Sequence, residues 1–295
     1  TASIDAYYRK TKDLLNTFNI PLGTNFSNRI TDNVGNMTTK GVELQLNATP
    51  VMNKTFRWDF SYNIAYNKRE ITKLTANTDT SFVGNSTGPS VDFLGDQIQI
   101  NSVGYAPYSF YAYKQIYGKD GSPIEGLYAD LNRDGVINQK DLYHYKSPFA
   151  PVTMGFTNTV AYKNWSLNMV LRANIGNYMF NQVASNSGNV RAIIDPNHVI
   201  HNVPQSAFEA SFQLPQVQSD YYLTNASFLK MDNIGLSYDA GKIFNNKANL
   251  IVGANCQNVF VITKYDGLDP EIFGGVDNNI YPRPRTYTLS LNLNF

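Results

Sequence analysis

The segment Asp130-Leu-Asn-Arg-Asp-Gly-Val-Ile-Asn-Gln-Lys-Asp141 carries oxygen donors at the spacing of a calcium loop. Hard Ca²⁺ takes about six to eight oxygens at short range. The spacing offers side chains from Asp130, Asn132 and Asp134, the sharp turn at Gly135, the Val136 carbonyl, Asn138 directly or through water, and Asp141 at the twelfth position. Ile137 is expected to anchor the loop on an apolar neighbour. An EF-hand ends in Glu, so Asp141 shortens the reach toward bidentate coordination. All these ligands lie in one closed loop, which makes Ca²⁺ a structural ion if it binds. The competing reading is a turn rich in Asx residues, held by hydrogen bonds from backbone to side chains.

Other chemistry has less support. His198 and His201 sit beside Asp195 as an H-x-x-H pair, but no helical pattern aims both rings at one point and no Glu lies between them. No nucleophile elbow or phosphate-cradling glycine loop stands out, and no carboxylate pair can be assigned to one cleft. No catalytic residues and no covalent chemistry are expected. Asn-x-Ser/Thr triplets at Asn164 and Asn225 are what alternating polar strand faces produce by chance.

The elements that must position such loops are strands. Thr286 to Phe295 alternates fully, with Tyr287, Leu289, Leu291, Leu293 and Phe295 on one face and Thr, Ser and Asn on the other. Phe56 to Asn67 places Phe56, Trp58, Phe60, Tyr62, Ile64 and Tyr66 opposite Arg57, Asp59, Ser61 and Asn63. Globular strands usually run about 5 or 6 residues, whereas tilted membrane strands need about 9 to 11. Facing Arg57 and Asp59 toward lipid would be costly, so they, with Asn63, Asn168, Arg172 and Asn292, are expected on a lumen face. Similar runs at Ser3 to Lys12, Thr39 to Thr49, Val152 to Tyr162, Trp165 to Ile175, Ser227 to Tyr238 and Asn249 to Ile262 bring the count to about eight. Cys256 permits no internal disulfide and reads as a small filler on one of these strands.

Bacterial barrels have short periplasmic turns and longer external loops, so counting back from the last strand assigns direction. Pro50 to Thr55, Lys163 with Asn164, and Asp239 to Ala248 become periplasmic turns. Leu14 to Thr38, Ile71 to Ala150, Gly176 to Ala226 and Tyr265 to Arg285 become external loops, and all are long. Loops beyond about 15 residues are uncommon unless functional. Their aromatics, including Tyr105, Tyr108, Tyr111, Tyr113, Tyr221 and Tyr222, could stack on sugars or pack against a partner; a solvated rim is the plain alternative.

Composition narrows the function classes. No run approaches the roughly 20 apolar residues of a membrane helix, and 20 Tyr with 17 Phe suit the aromatic girdles of a barrel. A net charge of +1 supplies no basic stripe for nucleic acid. The chain starts without Met or a signal peptide, so it is mature or a fragment.

Several stretches together resemble the C-terminal part of SusC/RagA-family TonB-dependent transporters, the outer-membrane importers of Bacteroidetes. They are Asn33-Val-Gly-Asn-Met-Thr-Thr-Lys-Gly-Val-Glu-Leu44, Gly126-Leu-Tyr-Ala-Asp-Leu-Asn-Arg-Asp-Gly-Val-Ile137, Asn225 to Tyr238, Gln257-Asn-Val-Phe260, Thr263 to Glu271, and Tyr281-Pro-Arg-Pro-Arg-Thr286. Thr39 and Arg133 depart from the family's usual Asn and Gly. The calcium-like segment looks more like the dockerin variant, and the terminal Phe295 resembles the signal read by barrel-assembly machinery.

The resemblance implies an all-β transmembrane antiparallel barrel of about 22 strands, within the known range, of which this chain holds about the last eight. It also implies a plug and a TonB-binding box preceding Thr1, and a SusD-like lipoprotein lid. Residues 1–295 are then one C-terminal barrel portion, with 71–151 a long external loop bearing the calcium-like motif and 286–295 the closing strand. The expected activity is import of oligosaccharide or peptide across the outer membrane of a Gram-negative bacterium. The alternatives are a complete eight-stranded barrel that binds or adheres through its loops, and a soluble carbohydrate-binding β-sandwich, which strand length disfavours.

Overall fold

The computed structural model describes residues 1–19, 26, 29–74, 82–91, 95–193, 200, 202–216 and 218–295. Eight long strands form one antiparallel meander in chain order: β1 (Ala2–Asn19), β2 (Arg29–Met52), β3 (Phe56–Lys73), β4 (Val152–Tyr162), β5 (Trp165–Ile175), β6 (Phe228–Ile243), β7 (Ala248–Thr263) and β8 (Thr286–Asn294). The bounds of β4 and β5 are those the alternation predicts. β1 and β2, however, run through most of the expected Leu14 to Thr38 loop, pairing as far as Asn19 with Arg29. Register shifts around Leu14, which put Leu14 and Leu15 side by side among polar residues, break the period there while backbone pairing continues.

The sheet is open. Among the described residues, β1 pairs with β2 and β8 with β7, and no pairing joins β1 to β8. A complete eight-stranded barrel needs β1 on β8, a pairing that the described residues do not make. Among the described residues, no helix is long and apolar enough to cross a membrane.

Register decides which side chains share a face. Leu46, Tyr62, Phe156, Leu171, Met231 and Phe260 form one unbroken row from β2 to β7. Nearer the short turns, Val160, Leu167, Leu236, Ala254 and Leu289 form another. At that end Phe56, Tyr162, Trp165 and Tyr238 stand side by side as an aromatic girdle. At the long-loop end the same face changes to Tyr8, Lys40 and Lys68. The apolar stretch of β3 between these borders runs from Phe56 to Tyr66, the length a tilted membrane strand needs. Many apolar residues of this outer face are uncovered, Leu289 on β8 at 86% and Ile4 on β1 at 74%, which is tolerable in lipid and costly in water. One polar residue interrupts the belt. Asn158 accepts a hydrogen bond from Trp58 Nε1 at 2.5 Å, so neither group meets lipid unpaired.

Arg57, Asp59, Asn63, Asn168, Arg172 and Asn292 all lie on the opposite face, as expected. They pair locally: Arg57 Nε donates to Asp59 at 2.7 Å, Thr49 Oγ1 to the same carboxylate at 2.6 Å, and Asn168 Nδ2 to Thr159 at 3.0 Å. A side chain at Gly41 would displace its neighbours. A Cβ would lie 2.5 Å from the Tyr7 ring and 2.7 Å from Asn67 Oδ1, the two groups that hydrogen-bond across its strand.

The best-buried core lies in the loops. Val91, Ile98, Phe110 and Ala112 from between β3 and β4 meet Phe180, Ala184, Ala210, Phe212, Tyr222 and Leu223 from between β5 and β6, and Val276 from between β7 and β8. Short strands stitch the loops together: Tyr178–Asn181 pairs antiparallel with Leu223–Asn225 and parallel with Val276–Asp277. Asp220 ties two of them further, accepting from the Gln115 N–H at 2.9 Å and Tyr143 OH at 2.6 Å. Burial beside that carboxylate pushes the Tyr143 phenol up. A solvated rim therefore does not describe these loops; over the wall they build a packed cap.

Candidate functional site

Under the cap, against the inner face of β3 to β5, lies a cavity of about 870 Å³. A second, of about 350 Å³, adjoins it toward β1, with Arg69 and Phe149 lining both. Small-molecule sites typically span about 300–1,000 Å³. Strands bring Asn67, Arg69, Arg172 and Asn174 to the cavity from below; the loops bring Tyr105, Lys146, Phe149, Asn177, Glu271 and Arg283 from above.

An ionic cluster joins wall to cap. Arg172 on β5 makes a bidentate pair with Asp232, which a bulge in β6 brings within reach, and a second pair with Glu271 of the last loop, Nη1 to Oε1 at 2.5 Å and Nη2 to Oε2 at 3.1 Å. Lys230, its side chain only 7% exposed, lies 3.8 Å from Asp232 and 3.6 Å from Glu271. Arg283 adds pairs with Asp269 and Glu271. Burial alone would raise the Glu271 carboxyl, but the hydrogen bonds and charge of Arg172, with Lys230 and Arg283, hold it below its ordinary range. Three cations and three carboxylates fix the 264–285 loop to the wall.

Of the loop aromatics singled out in the sequence, only some face open space. Tyr105 lines the cavity, stacked on His144 with centroids 3.7 Å apart. Burial lowers the His144 imidazole. Tyr108 meets Phe149 edge-on, Tyr111 lies against His144, and Tyr113 stacks on Tyr128. Tyr222 is not free to meet a ligand; at 4% exposure it sits edge-on to Phe180 and Tyr221 in the core, as the last residue of a short 3₁₀ helix, Asp220–Tyr222, that turns it inward. Lys146, Phe149, Asn177 and Arg283 were not singled out as site residues from the sequence. The first three sit in irregular loops with no periodicity to reveal them.

The calcium-like loop stands apart from the cavity. Asp130 accepts the N–H groups of Asp134 at 3.2 Å and Gly135 at 2.8 Å, Asn132 Oδ1 accepts from Asp134 at 2.9 Å, and Asp134 from Val136 at 2.9 Å. Asn138 caps a 3₁₀ turn, and fully buried Asp141 accepts from Leu131, Asn132 and Asn138, which lowers its carboxyl. Gly135 adopts φ +82°, where glycine is favoured. Donor type and backbone shape suit an oxygen-ligated cation. Among the described residues, no three His, Cys, Asp or Glu side chains converge, so any ion would draw on Asn132, Asn138 and the Val136 carbonyl as well. Ile137 does not anchor the loop; it is 40% exposed and Val136 59%, since the turn points both outward. Asp195, His198 and His201 lie outside the described residues.

No protein-family model matches the chain. Individual proteins do. It is 40% identical over 301 residues to the TonB-dependent receptor SusC of Bacteroides thetaiotaomicron, and 30% identical over 330 residues to TonB-dependent receptor P3 of Formosa agariphila. Among solved structures, the RagAB peptide transporter matches with TM-score 0.73 and 26% identity, covering all of this chain and 33% of that one; the RagAB importer in its open-open state gives 0.77. Over its whole length the chain is similar to these TonB-dependent receptors and transporters. It spans about a third of its relatives' length, 30% of SusC and 32% of P3.

Proposed function

We propose that this chain forms part of an outer-membrane importer that takes up short oligosaccharides or peptides and draws its energy from TonB, through regions outside these 295 residues. The observation that carries the reading is the position of the 870 Å³ cavity: on the polar face of a lipid-matched wall, under a packed cap, in a chain similar to SusC over its whole length. The chain's own residues bind and orient; none is assigned a bond-making step.

A SusD-like surface lipoprotein is the proposed lid, and the cap supplies uncovered apolar side chains at the mouth, including Phe273 at 93% and Tyr281 at 82% exposure. Ca²⁺ is proposed as a structural ion at the 130–141 loop, stiffening the cap through Asp130, Asn132, Asp134, Val136, Asn138 and Asp141. The test is uptake of labelled oligosaccharides and peptides by cells with the gene deleted, restored, or restored without a functional TonB. Import predicts energy-dependent uptake that follows the gene. Equal uptake in the deleted strain refutes it.

A further inference from the structure

Charge in the two cavities is unequally compensated. Arg172 and Arg283 are tied to Asp232, Glu271 and Asp269, and Lys68 lies 3.3 Å from Glu70. Arg69 and Lys146 have no carboxylate partner among the described residues. Instead the Arg69 guanidinium lies 5.1 Å from the Phe149 ring centroid, and Lys146 Nζ lies 5.6 Å from that of Tyr178 and 6.0 Å from that of Tyr145. A ring face orients a cation without neutralising it. Register adds a third cation. Arg9 on β1, Thr39 on β2 and Arg69 on β3 are successive partners on the inner face, so the two arginines stand about 10 Å apart across a threonine at ordinary strand spacing. The smaller cavity is lined by Arg9 and Arg69 and by no acidic residue.

A second observation points to a ligand. Asn177 lines the larger cavity at 5% exposure, and its Nδ2 reaches the Pro270 carbonyl at 3.4 Å, but its Oδ1 is buried with no hydrogen-bond partner. Leaving a buried acceptor unpaired is costly. It calls for a donor supplied from the cavity.

We infer that the joined cavities bind a short oligomer bearing a carboxylate: the anion between Arg69 and Lys146, with Arg9 extending the cationic side, and a ligand hydroxyl or N–H on Asn177 Oδ1. Phe149 supplies a flat apolar wall, and Tyr105 a second. Uncompensated cations in a partly enclosed cleft both attract an anion and strengthen its pairing. The inference rests on the import reading and narrows its substrate class. Acidic oligosaccharides and peptides with a free C-terminal carboxylate share this chemistry.

The experiment uses the complete membrane protein in detergent and measures affinity calorimetrically. Trigalacturonate, its methyl ester and maltotriose form one arm. N-acetylated tetra-alanine with a free or an amidated C-terminus forms the other. The carboxylate form in at least one arm is expected to bind about tenfold or more tightly than its neutral analogue, and to weaken as ionic strength rises from about 0.05 to 0.5 M. The arm that shows this identifies the source. Arg69→Gln and Lys146→Gln should each remove most of that preference, and Asn177→Leu should weaken charged and neutral forms alike. Lys163→Gln, in a short turn, is the control. Equal binding of charged and neutral forms, no binding in either arm, or unchanged preference in both Arg69→Gln and Lys146→Gln overturns the inference. Uptake of neutral oligomers that still follows the gene would leave import standing while this inference failed.

Discussion

Phe180→Ala is the sharpest probe of the cap. Phe180 is fully buried at the seam of three loops: its N–H donates to the Gly275 carbonyl at 2.8 Å, its strand pairs with Val276, and its ring meets Tyr222 edge-on. Removing a fully buried Phe side chain costs about 3–5 kcal/mol through lost burial and the cavity left behind. At about 1.4 kcal/mol per factor of ten, opening of the cap should become roughly two to nearly four powers of ten more frequent. The strands of the wall share none of this core, so they should be unmoved. Hydrogen exchange on the intact protein in detergent separates the two. Amides of Phe110, Tyr178 to Asn181 and Leu223 should lose protection by that factor, while those of Met154 to Val160 and Leu167 to Ala173 keep theirs. Tyr281→Ala, at an 82% exposed site, should change neither. Equal loss of protection in cap and wall would refute the separation of the two cores, and a loss below about tenfold would refute the burial argument itself.

Other tests follow from the same geometry. Phe156→Arg, in the middle of the outer apolar row, should destabilise the protein folded in lipid vesicles by about 2–4 kcal/mol, whereas neighbouring Thr157→Arg, on the inner face, should cost much less by urea titration. Burial holds the His144 imidazole below its ordinary value, so between about pH 6.5 and that lower value the unfolded loop binds more protons than the folded one. Cap stability should therefore be full above that window and fall as pH drops through it; protection factors of Tyr143 and Tyr145 should be lower at about pH 5 than at about pH 7.5, and His144→Gln should flatten the difference. Millimolar Ca²⁺ should slow proteolysis within 130–141 and EDTA should reverse it, with Asp134→Ala abolishing the response; indifference to EDTA removes the ion. Detergent-folded residues 1–295 alone should fail to give a heat-modifiable gel band, because their sheet leaves two edges open.

Much of the wall is written in the sequence because lipid on one side and a polar interior on the other impose a period of two that every strand repeats. That period located β4 and β5 to the residue, put Arg57, Asp59, Asn63, Asn168, Arg172 and Asn292 on one face, and set the alternation of short turns and long loops. It failed where β1 and β2 run on toward Asn19 and Arg29, since register shifts around Leu14 break the alternation while the backbone ladder goes on. The Asx-rich turn at 130–141 was legible because its oxygen-bearing side chains alternate along one short segment and its hydrogen bonds are local. The cavity was not. Arg69 continues the inner row of β3, but Lys146, Phe149 and Asn177 come from loops without a period, and only the tertiary fold shows that Arg172 is neutralised while Arg69 is left to a phenyl ring. Which cations are compensated depends on contacts between residues as far apart in the chain as Arg172 and Glu271. Spacing cannot encode such pairs; packing of three loops over one wall decides them.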